Sequence, residues 1–115
     1  SKVDQDVPAS LSETIMTELL RNEMGFDGII VTEQMDVPVI TNAYTTEQAV
    51  VRAISSGADM VYDPEDLQAA ISSVQQAVIT KKIEEEKIDQ AVLRILQNKI
   101  RRGIWTPPAA VEDSE

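Results

Sequence analysis

The chain has 115 residues with 20 acidic against 10 basic side chains, a formal net charge of −10, and neither histidine nor cysteine. Its average field repels phosphate groups, so nucleic acid and anionic membrane are excluded as partners. Without cysteine there are no disulfides, thiol nucleophiles or thiolate metal sites, and without histidine proton chemistry falls to carboxylates, lysine and tyrosine.

The length suits one domain and is too short for a complete eight-stranded β/α barrel, which takes about 250 residues. No apolar run is long enough to span a membrane, and Ser1-Lys2-Val3-Asp4 lacks the basic and then apolar pattern of a signal peptide. The absence of an initiator methionine points to a processed or excised soluble chain, with bacterial cytoplasm and secretion both open as compartments.

In chain order, Val7-Pro8-Ala9 is extended, and Ser10 with Glu13 three residues on forms a capping-box pattern that opens a helix over 11–24. Ile15, Met16, Leu19, Leu20 and Met24 recur at helical spacing, and Gly25 can close the helix in the left-handed conformation. Gly28 admits close backbone approach into Ile29-Ile30-Val31, a β-branched run apolar on both faces that predicts a buried parallel strand over 28–33. Gln34 to Tyr44 reads as a loop. Thr45 to Gln48 offers the next cap, for a helix over 46–56 that stops at Gly57. A second strand is predicted over 58–62.

Asp63-Pro64-Glu65-Asp66 carries a cap residue, a proline at the first helical position and first-turn acids, which predicts a helix over 64–80. The apolar stripe of Leu67, Ala70, Ile71, Val74, Ala77 and Val78 supports it. A fourth helix, over 84–102, carries Ile88, Val92, Ile95, Leu96 and Ile100 and ends at Gly103. The acids Glu84-Glu85-Glu86 at its start, and Lys99, Arg101 and Arg102 at its end, complement the helix dipole and need no ligand. Residues 105–115 read as a disordered acidic tail.

This alternation is an α/β pattern with right-handed parallel connections. Two strands that are apolar on both faces need more strands, supplied by further chain or by a second copy, so self-association to complete the sheet is expected. Glu33 closes the first strand, and the C-terminal ends of parallel strands open onto the functional face. A carboxylate there also suits a chain simply re-entering water. Asp59 and Asp63 bracket the second strand but lack further ligands at metal-binding spacing, and no glycine-rich phosphate loop occurs. No metal or cofactor is expected.

Several motifs then stand together in order: Val7-Pro8-Ala9-Ser10-Leu11-Ser12, Leu19-Leu20-Arg21, Gly25-Phe26-Asp27-Gly28-Ile29-Ile30-Val31-Thr32, Ala49-Val50, Ala53-Ile54, Gly57-Ala58-Asp59-Met60-Val61, Pro64, and Ile88 to Leu96. This set resembles the C-terminal part of the catalytic barrel of glycoside hydrolase family 3, in its β-N-acetylhexosaminidase branch. The resemblance implies a partial (β/α)8 barrel over 1–104 and a retaining hydrolase of β-linked N-acetylhexosamine. It also puts Glu33 in the nucleophile's position, normally aspartate.

Glutamate has the required group but one extra methylene. The family's acid/base histidine has no counterpart here, so the isolated chain is expected to be inactive. The family's methionine four positions after the nucleophile is replaced by Val37, with Met35 two residues earlier, and Asp36 aligns with a variable polar position. The alternative is a degenerate, non-catalytic barrel fragment serving carbohydrate binding or assembly.

Overall fold

The computed structural model describes residues 7–103. A 3-10 turn, Ala9–Leu11, leads into a π-helix, Thr14–Glu23, and then strand β1, Val31–Gln34. Helices α1 (Pro38–Thr41) and α2 (Thr46–Ser56), strand β2 (Met60–Tyr62), and helices α3 (Leu67–Ile79) and α4 (Glu85–Arg101) follow. The two strands pair in parallel and α2 packs on α3. This is the α/β order expected from the sequence. No helix among the described residues is long and apolar enough to cross a membrane. The predicted tail over 105–115 lies outside the described residues.

The α2 helix begins and ends where its local signals place it. The Thr45 hydroxyl accepts the Gln48 N–H while the Gln48 side chain accepts the Thr45 N–H, and Gly57 closes the helix at φ +125°. Gly25 and Gly103 likewise take positive φ at helix ends. The acids Glu85 and Glu86 lie in the first turn of α4, and Lys99 and Arg101 in its last.

Elsewhere the structure corrects the expected boundaries. The first helix starts at Thr14 rather than residue 11, because Leu11 N–H bonds back to Pro8 C=O and closes the 3-10 turn. Ser10 is not its cap; the Ser12 hydroxyl accepts the Ile15 N–H at 3.3 Å. Its hydrogen bonds run five residues back, as from Met24 N–H to Leu19 C=O, which widens the turn beyond the α-helical spacing. The strands are shorter than 28–33 and 58–62. The segment 34–44 is not wholly a loop, since Pro38 at a first helical position opens the short α1. Nor does Asp63-Pro64 start a helix: Asp63 has φ +50°, and Asp66 caps α3 by accepting the Ala69 N–H.

The core gathers Leu11, Met16, Ile30, Met35, Ile40, Ala49, Ala53 and Ala58, from the turn, the π-helix, the flanks of both strands, α1 and α2. It lies under one face of the sheet, where Thr32 is buried and Val61 packs. Burial on both strand faces, as the sequence predicts, is not found. Val31, Met60 and Tyr62 are each at least 43% exposed, because no layer among the described residues covers the other face.

Candidate functional site

Glu33 sits one residue before the end of β1, with its side chain exposed to solvent. The strand is irregular just there. Val31 pairs with Met60 and Gln34 with Tyr62, so three steps along β1 match two along β2, which is a bulge across Thr32 and Glu33. Bulges leave a residue outside the ladder and re-aim its side chain. The Thr32 hydroxyl repairs the interruption by accepting the Tyr62 N–H at 2.9 Å, and it donates to the Glu33 carbonyl at 2.9 Å.

One oxygen of the Glu33 carboxylate, Oε1, accepts a hydrogen bond from the Ser10 hydroxyl at 2.9 Å. Ser10 was legible in the sequence only as a helix cap, and nothing local signals a partner 23 residues away. Asp36 is exposed in the turn after β1, while Met35 turns inward and is core. Asp63 accepts from the Gln34 side chain at 3.2 Å and so ties the ends of the two strands together.

Asp59 has a different role. Its side chain is 1% exposed and accepts from Arg21 at 2.5 Å, from Arg94 at 2.8 Å and from the Ile30 N–H at 3.0 Å. Arg21 also donates to the carbonyls of Phe26 and Gly28, so one buried carboxylate links the π-helix, the approach to β1, and α4. The two aspartates that bracket β2 therefore point into separate networks. The signal for Asp59 in the sequence was an acid inside the apolar stretch Gly57-Ala58-Asp59-Met60-Val61, a place where a carboxylate needs cationic partners. Among the described residues no group of three or more potential metal ligands occurs.

A cleft of about 1050 Å³ lies between the 3-10 turn, α2 and α3, and Glu33 does not line it. The Glu33 end of the sheet is open instead. What the arrangement offers chemically is a solvent-accessible carboxylate with one oxygen held, at the C-terminal end of a parallel strand.

Residues 1–98 match the family profile described as the glycosyl hydrolase family 3 N terminal domain. A β-N-acetylglucosaminidase/β-glucosidase of Cellulomonas fimi is 29% identical over 102 residues, covering 88% of this chain and 18% of that protein. A lysosomal β-glucosidase of Dictyostelium discoideum is 32% identical over 106 residues, covering 89% of this chain and 13% of that protein. The solved structure of a glycoside hydrolase family 3 β-N-acetylglucosaminidase from a Paenibacillus species superposes with a TM-score of 0.82 at 34% identity, over 94% of this chain and 21% of that one. The chain thus spans about a fifth or less of the length of these relatives. With the motifs, the parallel strands and the profile match in agreement, the chain belongs to glycosyl hydrolase family 3, within its N-terminal domain.

Proposed function

We propose that the chain is the C-terminal part of a (β/α) barrel, over residues 1–104, in a retaining β-N-acetylhexosaminidase, with Glu33 as the nucleophile. The observation that carries this reading is the exposed Glu33 carboxylate at a bulge in the C-terminal end of β1, in a member of this family. In such a reaction a carboxylate oxygen bonds to the anomeric carbon as the bond to the leaving-group oxygen breaks. The departing oxygen takes its proton from an acid on a segment outside the chain, and water then releases the sugar from the glycosyl-enzyme ester, with the same group acting as base. The isolated chain, without that acid, does not turn over efficiently.

The N-acetylhexosaminide preference draws support from the Cellulomonas and Paenibacillus relatives, whereas the Dictyostelium relative carries a β-glucosidase name. The complete protein tested on nitrophenyl β-glycosides of N-acetylglucosamine and of glucose separates the two. Glu33→Gln is expected to lower kcat on the preferred substrate by roughly a thousandfold or more, since removal of a covalent nucleophile is among the largest single losses in an active site. Unchanged turnover in that variant would sink the nucleophile assignment.

The alternative of a non-catalytic carbohydrate-binding or assembly unit rests on glutamate standing where the family has aspartate. Calorimetric binding of N-acetylglucosamine that survives Glu33→Gln, in a complete protein without turnover, favours it. Under either reading the open sheet face supports self-association of the isolated chain, and a strictly monomeric species in sedimentation at micromolar concentration counts against that.

A further inference from the structure

We propose that Ser10 is the positioning residue for the Glu33 carboxylate: it holds Oε1 and thereby assigns Oε2 as the attacking oxygen. This rests on the nucleophile reading above. Glutamate brings three side-chain torsions to an exposed position, and each unfixed torsion dilutes the reactive geometry. The Ser10 hydroxyl removes that freedom with one charge-assisted hydrogen bond of 2.9 Å. Among the described residues, nothing donates to Oε2.

Ser10 can do this because its own position is fixed. It is buried at the centre of the 3-10 turn, whose last residue, Leu11, is fully buried. The Leu11 carbonyl accepts from Arg52 Nε at 3.1 Å and from the Ser56 hydroxyl at 3.2 Å, so the turn is fastened to α2. The hydroxyl therefore projects from a rigid element rather than from a free loop.

The pair is also matched in length. Aspartate at position 33 would withdraw the carboxylate by about 1.5 Å, one carbon–carbon bond, and take Oε1's counterpart out of hydrogen-bond reach of Ser10. Ser10 is thus the residue that makes the longer glutamate usable in the nucleophile's place, and its effect must depend on which acid stands there.

The test is steady-state kinetics of the complete protein on a nitrophenyl 2-acetamido-2-deoxy-β-glucoside, an activated substrate whose leaving group needs little protonation. Ser10→Ala is expected to lower kcat by about 10- to 100-fold, the usual range for a hydrogen bond to a charged group, with KM within about twofold. Ser10→Thr, which keeps the hydroxyl, restores most of the rate. In a Glu33→Asp background the same Ser10→Ala change alters kcat by less than about twofold, because the contact is already absent.

An unchanged kcat in Ser10→Ala, or an equal loss in both backgrounds, overturns the proposal while leaving Glu33 as nucleophile. A loss that accompanies a lowered melting temperature and is equal in both backgrounds is a folding effect and overturns it too. An inactive wild-type protein overturns the nucleophile reading itself, and this one with it.

Discussion

Single residues here act through partners distant in sequence. Asp59 is the strongest case, a carboxylate 1% exposed that accepts from two arginines and a backbone N–H. Removing one member of a buried ion network leaves the others desolvated and unpaired, so the loss exceeds the net worth of the pairs. Asp59→Ala is expected to lower the unfolding free energy by about 3 kcal/mol, read from denaturant midpoints. Arg94→Met is expected to cost about 1 kcal/mol or less, because that side chain is 30% exposed and water screens its pair. Equal costs for the two substitutions would show that burial does not govern the network. Reading the sequence alone gave Asp59 no role beyond the rejected metal pair, since neither Arg21 nor Arg94 is near it in the chain. Glu33, by contrast, was legible as a strand-end acid, but its hold by Ser10 was not.

At the scale of elements, what succeeded from sequence was what local hydrogen bonds decide. Helix α2 runs over the predicted 46–56 because Thr45 and Gln48 satisfy each other's backbone and Gly57 alone can take φ +125° without strain. A β-carbon at Gly57 would also lie 2.5 Å from the Thr17 hydroxyl, which itself bonds the Ser56 carbonyl. The predicted start at Asp63 failed for the opposite reason. Its side chain is engaged by Gln34 across the sheet, and Asp66, three residues on, takes the cap. The β1 bulge was equally hidden, because register depends on the partner strand. Thr32→Val, of the same shape but without the acceptor, leaves the Tyr62 N–H unmatched and is expected to cost about 1–2 kcal/mol, whereas Thr32→Ser costs less. Equal stability for the two variants in chemical denaturation would remove the hydroxyl from the account of the bulge.

For the molecule as a whole, the net charge of −10 means that like charges repel in the compact state, while the Asp59 carboxylate is shielded from solvent. Added sodium chloride screens exposed charges over a Debye length of about 8 Å at physiological strength and about 3 Å at 1 M. The melting temperature is therefore expected to rise as salt is added from low ionic strength; a fall would mean that attractive surface pairs outweigh the repulsion. The sequence by itself determined the α/β alternation, the family, the cap and stop of α2, and an acid at the end of the first strand. These rest on periodicity, on hydrogen bonds between near neighbours and on the torsional freedom of glycine, all of which the chain carries locally. Only the tertiary structure decided that one sheet face stays open, that β1 bulges at Glu33, and that Asp59 joins Arg21 to Arg94. Those outcomes depend on which distant groups folding brings within hydrogen-bond reach, and a polar group left unmatched by its neighbours in sequence finds its partner only in three dimensions.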